Sequence, residues 1–242
     1  MPAHAIIAAL SLHKLFGGNI GSKLLLISGG HTQFLEVKGV NNYNRLGTTI
    51  DDAVGEAFDK TAKLLGIEFP GGPLIEEFAK KGNENYFKLP KPIINRGGCN
   101  LSFAGLKTAV LKISKKIKNK EEKYHLAASF QKTIEDILSE KSKFAMNLFK
   151  KKYGDEKKVF VIAGGVASNN KIRKKLIDLS VKNNFEPIFP PKNLCSDNAA
   201  MIAWAGIERF KLGLSNKLDF PAKARWPLDE KAPLLKGAGI KF

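Results

Sequence analysis

The chain has 242 residues, 43% of them hydrophobic and 26% charged, enough to bury a genuine core as one large domain or two modest lobes. Its 40 Lys and Arg outnumber 23 Asp and Glu, giving a formal charge of +17. That excess favours a polyanionic partner such as nucleic acid, because each phosphate contact releases counterions. A general bias toward lysine would also produce runs such as Lys115-Lys116 and Lys150-Lys151-Lys152. Two cysteines, Cys99 and Cys195, make no disulfide framework and fit a reduced, cytoplasmic setting. No apolar run reaches the roughly 18 residues of a membrane span, and the opening residues do not read as a signal peptide.

Taken in order, residues 4–16 have the spacing of a short helix with Ile6, Ile7, Leu10 and Leu12 inward, stopped by Gly17, Gly18 and Gly21. A compact apolar strand at 23–27 and an alternating strand at 33–37 read as a hairpin whose turn holds Ser28, Gly29, Gly30 and His31. Residues 49–65 turn helical, with Thr49 as cap, Asp51 and Asp52 in the first turn and Gly66 as the stop. The pairs Glu56–Lys60 and Asp59–Lys63 have the i,i+4 spacing that supports such a helix. The PGGP turn leads to a short helix at 73–81, and 82–107 reads as irregular.

The lysine-rich stretch 112–123 separates that region from a long amphipathic helix near 125–151, with Phe130, Ile134, Ile137, Leu138, Phe144, Leu148 and Phe149 on its apolar side. A buried strand then leads into AGGVASN, a helix at 170–182, a strand at 185–189 and a helix at 197–211. Strands alternating with helices predict an α/β architecture.

Two glycine turns stand out. SGGH follows a strand, and small consecutive residues let backbone N–H groups approach a phosphate, although a tight hairpin uses the same residues. AGGVASN lies between a strand and a helix, where a helix N-terminus could face an anion or nucleotide. It is neither a Walker loop nor GxGxxG. Asn169 there could cap the helix or contact a ligand. His4 and Asp197 are candidate metal ligands, with a core histidine and a helix cap as their ordinary alternatives.

Together, SGGHTQ at 28–33, IDDAVGEAFDKTAKLLG at 50–66, PGGP at 70–73, SFAGLK at 102–107, AGGVASN at 163–169 and CSDNAAMIAWAG at 195–206 resemble the TsaD family of tRNA adenosine threonylcarbamoyltransferases, formerly described as glycoprotein endopeptidases. The order and spacing match from about residue 4 to the RWPL at 225–228. The resemblance implies an actin-like, sugar-kinase-like fold, with 1–22 a remnant of a first lobe and 23–242 a second lobe. It implies transfer of threonylcarbamoyl from threonylcarbamoyl-AMP to the N6 amine of the adenosine beside the anticodon, in tRNAs reading codons that begin with A. By position, Leu26, Ile27, Ser28, Gly29 and Gly30 would line the adenylate, Asp59 and Gly72 would hold its adenosine portion, and Asn169 would close over it.

His4 and Asp197 would hold one divalent metal, iron or zinc by ligand type. A protein that makes the adenylate, a TsaB-like paralogue and a small ATPase are the implied partners. His31 and Glu56 receive no role. The family's histidine pair is H-x-x-x-H, whose first member would fall just before Met1, and the family's opening strand and phosphate loop are not in this sequence. Met1 is therefore expected to be an internal methionine, and the alternative to the transferase is a non-catalytic truncated paralogue. A metalloprotease lacks support, since no HExxH is present.

Overall fold

The computed structural model describes residues 22–27, 30–40, 42–154, 158–219, 221 and 227–233. The expected helix at 4–16 lies outside them. Strands β1 (Ser22–Ile27), β2 (Thr32–Gly39) and β3 (Asn42–Thr48) form an antiparallel meander. The expected hairpin is present, with Ile27 opposite Thr32 and Ser22 opposite Val37. β3 was not anticipated, because NYNRLGT lacks the clean alternation of a strand with one buried face.

The chain then leaves the sheet through helices α1 (Val54–Leu64), α2 (Gly71–Ala79), α3 (Ala104–Ser114) and α4 (Lys120–Tyr153). It returns as β4 (Lys158–Ala163), a single 3-10 turn (Gly165–Ser168), α5 (Asn170–Lys182) and β5 (Phe185–Ile188), and ends with α6 (Ala199–Lys211). The sheet order is β3-β2-β1-β4-β5, with β1, β4 and β5 parallel.

Alternation along the strands splits the core in two. Ile27, Phe34, Phe160 and Ile162 face a large cluster supplied by the helices, including Val54, Phe58, Phe130, Ile134 and Leu176. Leu35, Val37, Val161 and Ala163 face the other way, toward Ala205 of α6 and Leu228. The edge-to-face pair Phe58–Phe130, with centroids 5.1 Å apart, ties α1 to α4. Replacing either ring by alanine would cost about 3–5 kcal/mol by the usual cavity penalty.

Several local expectations are corrected. α1 starts at Val54 rather than at 49, and its N-cap Ala53 gives no side-chain bond; the Val54 N–H donates to Thr32 Oγ1 at 2.8 Å. Thr49 donates to the Asp52 carbonyl instead of capping. Asp51 crosses to the start of α3, where it accepts from the N–H groups of Phe103 (2.7 Å) and Ala104 (3.3 Å) and from the Ser102 hydroxyl. It therefore does for α3 what Phe103, its uncapping neighbour, cannot.

The 112–123 stretch is not a separator, since α3 runs to Ser114 and α4 begins at Lys120 behind the cap Asn119, whose side chain accepts from Glu122 N–H at 2.9 Å. Phe144 and Leu148 are 37% and 38% exposed, outside the apolar face on which the sequence places them. The stretch 82–107 is irregular only up to the start of α3 at Ala104, a helix that was not anticipated. This loop is pinned to α4 by the buried Lys141, which donates to the carbonyls of Arg96 (2.7 Å) and Gly98 (3.3 Å).

Candidate functional site

β1 and β4 are adjacent and parallel, with Leu26 opposite Ala163, so the ends of these two strands, each followed in sequence by glycines, lie side by side. Ligands in open α/β sheets bind outside the carboxyl ends of such strands. Of the first turn, Ser28 and Gly29 lie outside the described residues, as does the Leu26 side chain. Ile27 is fully buried in the core, so its side chain serves packing and only its backbone is available to a ligand. Gly30 is exposed with open space above its Cα.

The turn after β4 is held hard against the last residue of β1. Gly164 has φ +101°, and a Cβ there would fall 2.3 Å from the Ile27 carbonyl oxygen. Only glycine fits that approach. Gly165, the next residue, is open.

A cleft of about 430 Å³ lies between α1, α2 and the turn after β4. Asp59, Gly72 and Asn169, expected from sequence to act on one ligand, line it together, beside Gly165. Its volume falls within the roughly 300–1,000 Å³ of small-molecule sites. On the α1–α2 wall, Asp59 is not the partner of Lys63; its Oδ1 accepts from the Gly71 N–H at 2.9 Å. That bond fixes the first turn of α2 against α1, where a Cβ on Gly71 would meet Ala62 Cβ at 2.6 Å. Gly72 has nothing within 4 Å of its would-be Cβ and presents backbone to the cleft.

On the other wall, Asn169 caps α5 by accepting from Ile172 N–H (3.1 Å) and donates its amide to Gln131 Oε1 (2.9 Å). Asn169 is therefore the cap of α5 and also lines the cleft. The α5 N-terminus itself is not an open anion site. A 3-10 turn separates it from β4, and Glu76 Oε1 accepts from both the Asn170 N–H (2.8 Å) and the Asn170 side-chain amide (2.9 Å). A carboxylate of the chain already sits where an anion would.

Three further cleft residues were missed. Glu76 follows Gly72 by one helical turn, so the i,i+4 rule would have placed it on the same face. Lys192 lines the cleft and donates to Asn170 Oδ1. Cys195 is buried at the floor, where burial pushes its thiol up against the opposing pull of the Arg173 guanidinium, 3.8 Å from Sγ. Cys195 opens the CSDN motif, which could have drawn it in, but no local pattern around Lys192 signals its placement, which comes from the return of the chain after β5.

Asp197 is exposed and precedes α6, but the cap of that helix is Asn198, which accepts from Met201 N–H at 2.9 Å. The expected helix start at 197 moves accordingly, and capping is no longer an explanation of Asp197. His4 lies outside the described residues, among which no group of three or more His, Cys, Asp and Glu could hold an ion. The described residues by themselves do not make a metal site. Glu56 pairs with Lys60 as the spacing expects. No helix among the described residues is long and apolar enough to cross a membrane.

Residues 3–204 match the family described as TsaD: tRNA N6-adenosine threonylcarbamoyltransferase. The chain belongs to the TsaD family. Relatives named tRNA N6-adenosine threonylcarbamoyltransferase include one from Pelagibacter ubique, 69% identical over 90% of this chain and 61% of the relative. Another, from Rhodospirillum rubrum, is 46% identical over 96% of this chain and 65% of its own length. A third, from Zymomonas mobilis, is 52% identical over 90% of this chain and 59% of its own. The chain thus spans about three fifths of the length of these TsaD relatives. Among solved structures, full-length HypF in a phosphate- and nucleotide-bound form superposes with a TM-score of 0.60 at 16% identity, covering 87% of this chain and 35% of that one. That likeness concerns the fold, which is α/β of the actin-like type.

Proposed function

We propose that this chain carries the adenylate-binding part of a tRNA threonylcarbamoyl transferase. Threonylcarbamoyl-AMP would lie in the cleft, and the N6 amine of the adenosine beside the anticodon would attack its carbamoyl carbon. The new C–N bond forms as the bond from that carbon to the phosphate oxygen breaks; the amine loses a proton and AMP leaves. The observation that carries this reading is the convergence of Asp59, Gly72, Asn169 and Gly165 on one nucleotide-sized cleft at the ends of parallel strands.

Asp59 retains one carboxylate oxygen beyond its bond to Gly71, suited to accept from a ribose hydroxyl. Gly72 and Gly165 offer bare backbone, which a phosphate or base edge can approach closely. Leu26, Ile27, Ser28, Gly29 and Gly30 would complete the phosphate side. The proposal includes one divalent metal on His4 and Asp197, a cytoplasmic setting, and partners comprising a protein that supplies the adenylate, a TsaB-like paralogue and a small ATPase.

The test is calorimetric titration of a non-reactive threonylcarbamoyl-AMP analogue into the 242-residue chain. Gly165→Val and Asp59→Asn are each expected to lose at least about tenfold in affinity, or 1.4 kcal/mol, with the circular dichroism of the parent retained. Parental affinity in both variants would show that the adenylate does not lie in this cleft.

A further inference from the structure

The cleft uses one flank of α1, and the neighbouring flank of the same helix borders a second concavity. A groove of about 590 Å³ runs between α1 and α3, lined by Lys60, Lys63, Lys107 and Lys115 with Leu64 and Leu111 between them. Lys60 bonds to Glu56 and Asp52, and Lys107 bonds to Asp52. Burial would raise the Asp52 carboxyl, but Lys107 and Lys60 outweigh it and hold that carboxyl below its usual range. Two of the four ammonium groups are therefore already matched by acids. Lys63 and Lys115 are exposed and add charge that the groove itself does not neutralise.

We propose that this groove binds the phosphodiester backbone of the tRNA whose adenosine enters the cleft, an inference that rests on the transferase reading above. Asp59 lines the cleft, while Lys60 and Lys63, one and four residues further along the same helix, line the groove, so the two sites adjoin along α1. Successive phosphates along one nucleic-acid strand lie several ångströms apart, so an RNA offering one base to the cleft brings flanking phosphates to the adjoining groove. The matched pair Lys60 and Lys107 braces the groove, and Lys63 and Lys115 supply the contacts that release counterions. A purely structural role is also open to Lys63, because it lies in the last turn of α1, where a cation offsets the helix dipole. That role would affect stability and leave RNA affinity alone.

The experiment measures anisotropy of a labelled anticodon stem–loop RNA with the 242-residue chain across a salt series. In the double variant Lys63→Glu/Lys115→Glu, affinity is expected to fall at least about tenfold, and the slope of log K against log salt to flatten by about 1.4–1.8 for two contacts. Affinity for the adenylate analogue should stay at the parental value. A comparison variant, Lys150→Glu/Lys151→Glu at the far end of α4, carries the same charge change away from the groove. An unchanged slope in the groove variant, or an equal loss in the α4 variant, overturns the groove and leaves the transferase reading standing. Failure of the unaltered chain to bind the RNA at all counts against both.

Discussion

The two walls of the cleft are each built on a pair of glycines, and the pairs are held in different ways. On the α1–α2 wall, Gly71 is drawn against α1 by a side chain, through the 2.9 Å bond from its N–H to Asp59. On the β4–α5 wall, Gly164 is held by the absence of one, with φ +101° and the Ile27 carbonyl 2.3 Å from where a Cβ would stand. In both pairs the second glycine, Gly72 or Gly165, has nothing within 4 Å of where a Cβ would stand. The first member fixes the wall and the second leaves it bare for a ligand. A wall held by a hydrogen bond can be weakened by degrees, whereas one held by close backbone approach fails at once.

The sharpest way to break this comparison is Gly164→Val. The substitution forces a β-branched residue into a left-handed conformation and into the backbone of β1, so a loss of more than about 3 kcal/mol is expected. Urea denaturation of the chain measures it. A midpoint equal to the parent's would show that β1 yields and that the turn is not fixed by this contact.

A smaller effect is expected on the opposite wall. Asp59→Ala removes the acceptor for Gly71 N–H and should cost about 1–2 kcal/mol, in the range for hydrogen bonds to charged groups. Asp59→Asn keeps an oxygen in place and should recover more than half of that. Equal losses in the two variants would mean that the charge of Asp59, rather than its bond to Gly71, holds α2.

Much of this arrangement was legible in the sequence, and what escaped has physical reasons. The hairpin, the buried strand and α5 follow from periodicity, and 170–182 coincides with Asn170–Lys182 because Asn169 is both the cap and the last residue of the turn. The joint motif pattern brought Asp59, Gly72 and Asn169 forward, and they line one cleft. Within each Gly-Gly pair, however, sequence cannot say which glycine is packed and which is open, since that depends on a strand or helix distant in the chain. Asp51 looked like a first-turn residue of α1 but serves α3, reached only after the long loop folds back. Lys192 enters the cleft through the same kind of return.

The smallest effect concerns the open glycines, and it separates ligand from scaffold most cleanly. Neither Gly72 nor Gly165 has the left-handed φ that marks Gly164, and neither would direct a Cβ at a neighbour. Gly72→Ala and Gly165→Ala should therefore fold as well as the parent, or gain about 0.4–1 kcal/mol by restricting the unfolded chain. Gly72 lies in the first turn of α2, where alanine is also the better helix former. The added methyl instead projects into the cleft, so affinity for an adenylate analogue should fall while the denaturation midpoint holds or rises. The same methyl on Gly71 should do the reverse, lowering the midpoint through the 2.6 Å approach to Ala62. Opposite signs at adjacent glycines would assign packing to one and ligand contact to the other. A common fall in midpoint at Gly71, Gly72 and Gly165 would mean that the open space above the second glycines is needed by the fold itself.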